Sequence, residues 1–258
     1  MESSGGLPAI NRISVWAPFG WLAGALRDLG RAWVPCLAYG LGLALVSIGL
    51  CYALYASNLA LWGLALTLGF VFVAPMLAMG LYEAGRRLEQ GQPVRLKDML
   101  FLRSAFRQDT AYLGLALLLI YLLWGRFAQI VYGLSTFRIH RTLTDFFDFA
   151  VNTSDGHHML TVGSLVGGAI AFFTYTLVVV SAPMLLDREA NVFAATATSF
   201  RAVSDNMAPM ILWAVLIAVL MVFAVATGFI GMIIVFPWLG LASWRAYRAL
   251  VQQRPAAA

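Results

Sequence analysis

The chain has 258 residues, of which 61% are hydrophobic and only 11% charged, and its 17 basic and 12 acidic residues leave a net charge of +5. A soluble domain carries roughly 25% charged residues, so an ordinary water-soluble core is excluded and lipid must be the solvent for most of the chain. The cations are scattered over short segments between apolar runs, which argues against a nucleic-acid face and for topology signals.

The opening Met-Glu-Ser-Ser-Gly-Gly lacks the basic start and early apolar stretch of a cleaved signal peptide, so 1–14 reads as a retained cytoplasmic segment. From Phe19 to Trp33, the apolar Trp21, Leu22, Ala25, Leu26 and Leu29 recur at helical spacing with Arg27, Asp28 and Arg31 opposite. That is the pattern of an amphipathic helix in the membrane interface, its apolar side toward acyl chains. Two spans follow at Trp33–Tyr55 and Leu59–Leu81, joined by the tight turn Ala56-Ser57-Asn58. Runs near 20 apolar residues match a hydrocarbon core of about 30 Å. The two cysteines, Cys36 and Cys51, fall on the first span. At about 1.5 Å per residue they stand roughly 22 Å apart, too far for a disulfide, and they read as small core residues.

A second amphipathic stretch, Leu96–Arg107, precedes spans at Tyr112–Gly125, continuing toward Leu134, and at Leu160–Leu186, separated by a loop over 135–159. A third, Val192–Val203, precedes spans at Pro209–Ala226 and Gly228–Trp244, and a tail occupies 249–258. The sum is an all-α polytopic transmembrane helical bundle of about six spans, forming one membrane domain over 1–258.

Orientation follows from the cations. Arg12, Arg27, Arg31, Arg86, Arg87, Arg95, Lys97, Arg103, Arg107, Arg188, Arg201, Arg245, Arg248 and Arg254 fall on one side, against Arg126, Arg138 and Arg141 on the other. Excess positive charge marks the cytoplasmic side, which puts both termini there.

An internal repeat is also suggested. Ala25-Leu26-Arg27, Ala105-Phe106-Arg107 and Ser199-Phe200-Arg201 each end an amphipathic stretch, and Ala74-Pro75-Met76-Leu77 recurs as Ala182-Pro183-Met184-Leu185 with Pro237 in the matching place. Three surface-helix-plus-hairpin units would follow, with Pro75, Pro183 and Pro237 at equivalent helix ends.

Few residues could carry chemistry. Arg126 is the one charge inside an expected span, where it either snorkels to the headgroups or is buried as a structural or ligand-binding group. His140, His157 and His158 share the 135–159 loop with Asp145, Asp148 and Asp155, but no spacing fixes a metal geometry. In that loop Phe146-Phe147-Asp148-Phe149 reads as an interfacial anchor. Gly163 and Gly167 form a small-xxx-small pair suited to close helix packing, within the chain or across a homo-oligomer seam. No cofactor motif is present.

Within this layout, the Ala-Pro-Met-Leu-Leu-Asp-Arg-Glu passage at 182–189 and Trp-Gly-Arg at 124–126 resemble an uncharacterised family of bacterial inner-membrane proteins. Genomes label that family as a domain of unknown function or as cytochrome c oxidase subunit I. The resemblance covers roughly 10–250 and implies a bacterial inner-membrane location and no established activity. The oxidase role fails on residues, because haem ligation needs histidines inside helices and all three here lie in one loop. What remains is a non-enzymatic accessory or scaffolding protein packed against lipid or against a respiratory or other membrane complex. The alternative is a small-molecule or lipid transporter or channel. Mitochondrial carriers share three hairpins, but their motif of a proline followed by an acid and a base is absent. A lipid-acting enzyme would need a paired acid and base near a membrane face.

Overall fold

The computed structural model describes residues 7–252 except 58, 103–106, 138–139 and 141, and for 60–62, 64 and 65 the backbone alone. Asn58 of the first turn, Ala105 and Phe106 of one triplet, Arg103, Arg138, Arg141 and Arg254 lie outside the described residues. Regular structure among those residues is α-helical, with one isolated antiparallel bridge between Ile10 and Val251.

The amphipathic and apolar segments of the first third become α1 (Ala17–Arg31), α2 (Trp33–Ala56), α3 (Ala60–Leu77), α4 (Met79–Glu89) and α5 (Leu96–Leu100). A single non-helical residue, Ala32, separates α1 from α2, and Ala78 separates α3 from α4 three residues after Pro75. Pro75 has no N–H for the helix ladder, which weakens the helix just before that break. The middle third gives α6 (Gln108–Ser135), α7 (Leu143–Asn152) and α8 (Ser154–Val178). The remainder forms α9 (Ser181–Asp187), α10 (Val192–Asp205), α11 (Met207–Ala226) and α12 (Met232–Leu250). Gly228 (φ 64°) and Phe229 (φ 68°) make the turn into α12, a left-handed conformation that costs a non-glycine residue about 1 kcal/mol.

Among the described residues, five segments are long and apolar enough to cross a membrane: Trp33–Ala56, Leu66–Glu89, Gln108–Ser135, Ser154–Asp187 and Met207–Ala226. The sixth expected span falls on α12, whose last turns carry Arg245 and Arg248 and whose residues are largely buried against protein. Its two arginines, which lower its apolarity, rather than its length, set it apart from the other five.

The chain forms two compact units, residues 1–45, 75–113 and 175–258 in the first and 46–74 and 114–174 in the second. In the first unit, α12 is central: α1, α4, α9 and α11 all pack on it. The packing is cyclic. Each surface helix lies on the helix that closes the preceding hairpin, α5 on α4 and α10 on α9, while α1 lies on α12, and α4, α9 and α12 contact one another. The chain before α1 is tied in as well. Asn11 N–H donates to Leu250 O at 2.8 Å, and the side chain of Asn206 accepts from Ile13 N–H at 2.9 Å and donates to Asn11 O at 3.0 Å.

The surface helices differ from expectation. Trp21, Leu22, Ala25 and Leu29 of α1 are buried within the protein rather than turned to acyl chains, with Trp21 edge-on to Trp213 at 5.6 Å. The reason is Asp28, which is also buried. A stripe that includes a carboxylate needs a cation, which α12 supplies and hydrocarbon does not. On α10 the inward face carries Thr198 and Ser199. Ser199 Oγ donates to Thr176 O at 2.7 Å and accepts from Val180 N–H at 3.2 Å, so it satisfies backbone groups at the break between α8 and α9.

In the second unit Phe72, Tyr121 and Trp124 form an aromatic cluster with centroids 5.8 to 6.4 Å apart. Gly69 is so close to the Tyr121 ring that a Cβ would collide with it. The expected 135–159 loop contains a helix, α7, whose N-cap Thr142 accepts from Asp145 N–H at 3.1 Å. Gly156 on α8 meets the Phe149 carbonyl of α7 where no side chain would fit.

Candidate functional site

The densest set of polar side chains in the first unit surrounds the C-terminal turns of α12. Trp244, Arg245, Tyr247 and Arg248 are consecutive or nearly so; at 100° per residue Trp244 and Arg248 share one side, toward Glu89, while Arg245 and Tyr247 point elsewhere, toward Asp28 and Asp187. Arg245 reaches Asp28 of α1 with both prongs of its guanidinium, Nε to Oδ2 at 2.5 Å and Nη2 to Oδ1 at 2.8 Å. Gly24, one turn earlier on α1, makes this possible, since a Cβ there would stand 2.6 Å from Arg245 Nη1. Arg248 donates to Glu89 of α4 at 2.6 Å, and Trp244 Nε1 donates to the other oxygen of Glu89 at 3.2 Å. Tyr247 donates to Asp187 of α9 at 2.6 Å, and Arg188 in turn donates to the Tyr247 hydroxyl at 3.0 Å.

A second cluster on α4 continues the pattern. Buried Glu83 accepts from Arg86 at 2.8 and 2.9 Å and from Arg87 at 2.8 Å, and Arg87 also bridges to Asp98 of α5 at 3.0 Å. Five carboxylates, Asp28, Glu83, Glu89, Asp98 and Asp187, thus meet five guanidiniums, Arg86, Arg87, Arg188, Arg245 and Arg248. Bidentate guanidinium–carboxylate pairs fix geometry as well as charge. The hydrogen bonds that Arg245 donates to Asp28 raise the Arg245 pKa above its usual value, partly opposed by burial. Burial, then the bond to Asp187, pushes the Tyr247 pKa up, so the phenol stays a donor at neutral pH. Because arginine does not give up its proton, these pairs hold charge in place and are ill suited to relaying it.

The residues singled out by sequence lie elsewhere. Arg126 is exposed on α6 and donates to Gln129 at 3.1 Å. His140 Nδ1 shares a hydrogen bond with the Tyr132 hydroxyl at 2.8 Å and its ring stacks on Phe149 at 4.7 Å. His157 Nε2 meets Val151 O at 2.7 Å, while His158 is exposed. No three His, Cys, Asp or Glu side chains come together as a metal set among the described residues. Gly163 and Gly167 face Val131 and Trp124 of α6, but an added Cβ would still have 3.8 and 3.6 Å. The tight approaches are at other glycines: Gly40 against Ile233 O and Pro237, Gly80 against Met99 O, Gly85 against Trp244, and Gly240 against Leu81. Pro75 and Pro237 sit inside α3 and α12, and Pro183 lies in the first turn of α9.

Sequence reasoning missed the α12 hub because its charges were counted for topology only. One signal was present: Trp21, Ala25, Asp28 and Ala32 lie one after another at i, i+4, i+7 and i+11, which puts Asp28 on the apolar stripe rather than opposite it.

No curated protein and no solved structure matches the chain. Residues 63–187, from within α3 to the end of α9, match the family model described as a predicted integral membrane protein (DUF2189), and together with the apolar helices this identifies the chain as an integral membrane protein whose matched domain has no known function.

Proposed function

We propose that the protein is a non-enzymatic accessory or scaffolding protein of the bacterial inner membrane, with both termini cytoplasmic, that acts by packing against a membrane complex. The observation that carries this reading is the engagement of Asp28, Glu83, Glu89, Asp98 and Asp187 by arginines. Charges spent on fastening helices to one another suit a rigid platform better than a proton or ion path, which needs groups free to change state. The orientation is supported by the cations of the first unit.

Two measurements test the reading. A reporter active only outside the cytoplasm should be active when fused after Ser154 and silent after Gln92 or Asn191. Purification in mild detergent should retain a partner at fixed stoichiometry; a lone, homogeneous protein, or an active fusion at Gln92, would contradict the proposal. The cyclic packing of surface helices on α4, α9 and α12 favours a second reading, a small-molecule or lipid transporter or channel, because repeated units often frame a site near the bilayer midplane.

A further inference from the structure

The first unit sorts its charges by direction. Its carboxylates Asp28, Glu83, Glu89, Asp98 and Asp187 are engaged by arginines, and Asp109 accepts from Val192 N–H. Arg12, Arg27, Arg95, Lys97 and Arg201 are instead exposed and form no ion pair among the described residues. Among the described residues of this unit the exposed carboxylates are Glu89, engaged by Arg248, Glu189, which lies 3.4 Å from Arg107, and Asp205. Since Glu89 and Glu189 already have arginine partners, the five unpaired exposed cations outnumber the acids left to balance them, and anions from another molecule would complete the surface.

The same elements expose large apolar side chains beside those cations. Trp16 and Phe19, 5.8 Å apart, and Leu26 accompany Arg12 and Arg27 on and before α1. Phe101 is 79% exposed at the end of α5, which begins with Arg95 and Lys97, and Phe193 is 77% exposed on α10 with Arg201. Aromatic side chains that seat at the headgroup level, with guanidinium and ammonium groups at the same elements, match a layer of acyl chains under negative phosphates. The inward faces of these helices are already taken by protein, so the outward faces alone are free to meet that layer.

We infer that the outward faces of α1, α5 and α10 form a basic collar, edged with aromatic side chains, that binds anionic phospholipid headgroups in preference to zwitterionic ones. The collar goes beyond the scaffold reading and does not depend on it, since a transporter with this surface would bind the same lipids. Guanidinium groups recognise phosphate bidentately, and only a lipid of net negative charge neutralises the excess cations.

The test uses the full-length protein in mild detergent, titrated with phosphatidylglycerol or phosphatidylcholine and followed by native mass spectrometry. The expected result is at least about a tenfold tighter association with phosphatidylglycerol at low ionic strength, falling toward parity near ~0.5 M salt, where surface charges are screened. The variant with Arg12→Gln, Arg27→Gln, Arg95→Gln, Lys97→Gln and Arg201→Gln removes only exposed cations and should fold and lose the preference. A variant with Trp16→Ala, Phe101→Ala and Phe193→Ala should weaken both lipids and leave their ratio unchanged. Should the five-fold variant misfold, the salt titration of the unaltered protein still decides. Equal binding of the two lipids at low salt, a preference that survives high salt, or displacement of phosphatidylglycerol by millimolar inorganic phosphate would overturn the collar.

Discussion

Replacing Asp28 with Ala is expected to destabilise the first unit by about 2–3 kcal/mol, read as a lower unfolding temperature in mild detergent. Removing one partner of a buried pair typically costs about 3–5 kcal/mol because the other charge is left without compensation. Here the Asp28 side chain is 10% exposed but Arg245 is 37% exposed, so the orphaned guanidinium recovers part of its hydration and the estimate falls below that range. Arg31 supplies the control. It stands 4.0 Å from Asp28 with 71% of its side chain exposed, and Arg31→Ala should change stability by less than about 0.5 kcal/mol. Replacing Asp28 and Arg245 together with Leu should restore most of the loss, since an apolar pair is often as stable as the ion pair it replaces. An Asp28→Ala protein as stable as its parent would mean that the pair fastens nothing.

Gly40→Ala is expected to be as costly, for a different reason. Pro237 has no N–H, so Ile233 O, four residues earlier, lacks its helical donor, and the backbone of α2 comes against that carbonyl at Gly40. A Cβ there would collide with Ile233 O and stand 2.9 Å from Pro237 Cγ, and backbone cannot move aside as a side-chain tip can. Overpacking of this kind costs about 1–3 kcal/mol, with the upper end expected here. Gly163→Ala is the contrast: its Cβ would meet only Val131 Cγ1 at 3.8 Å, and the alanine should be neutral or stabilising by up to about 1 kcal/mol through helix propensity. Similar losses at both glycines, measured by unfolding in the same detergent, would contradict the packing described.

The span positions were legible because length and apolarity are local properties. Trp33–Tyr55 and Pro209–Ala226 agree with α2 and α11 to within two residues at either end. The amphipathic stretch before the first span was legible as a helix but not in what it faced, because Asp28 takes its partner from 217 residues away. Nothing in a local window shows which cation will stand opposite a carboxylate. The tightest glycine contacts were not legible for a related reason. Gly163 and Gly167 fit a recognised spacing, whereas Gly40, Gly80, Gly85 and Gly240 match no such pair, and the close approach at each depends on a helix distant in sequence. In the 135–159 segment, Thr142 followed three residues later by Asp145 is a helix start that was passed over because its polar residues resembled a solvated loop.

α1, α4, α5, α9, α10 and α12 are expected to form one fixed body, with α1, α4, α5, α9 and α12 joined by ion pairs and α10 packed on α9. Its most direct test is the spread of distances between spin labels at Leu26→Cys on α1, Lys97→Cys on α5 and Phe193→Cys on α10, taken in pairs by double electron–electron resonance. These sites are exposed, and the background would have Cys36 and Cys51 replaced. One narrow distribution for each pair, the same in detergent and in lipid vesicles, is the result this account predicts. Two populations for any pair, or a distribution that divides when the protein is moved into vesicles, would show that the helices exchange between arrangements and would contradict it.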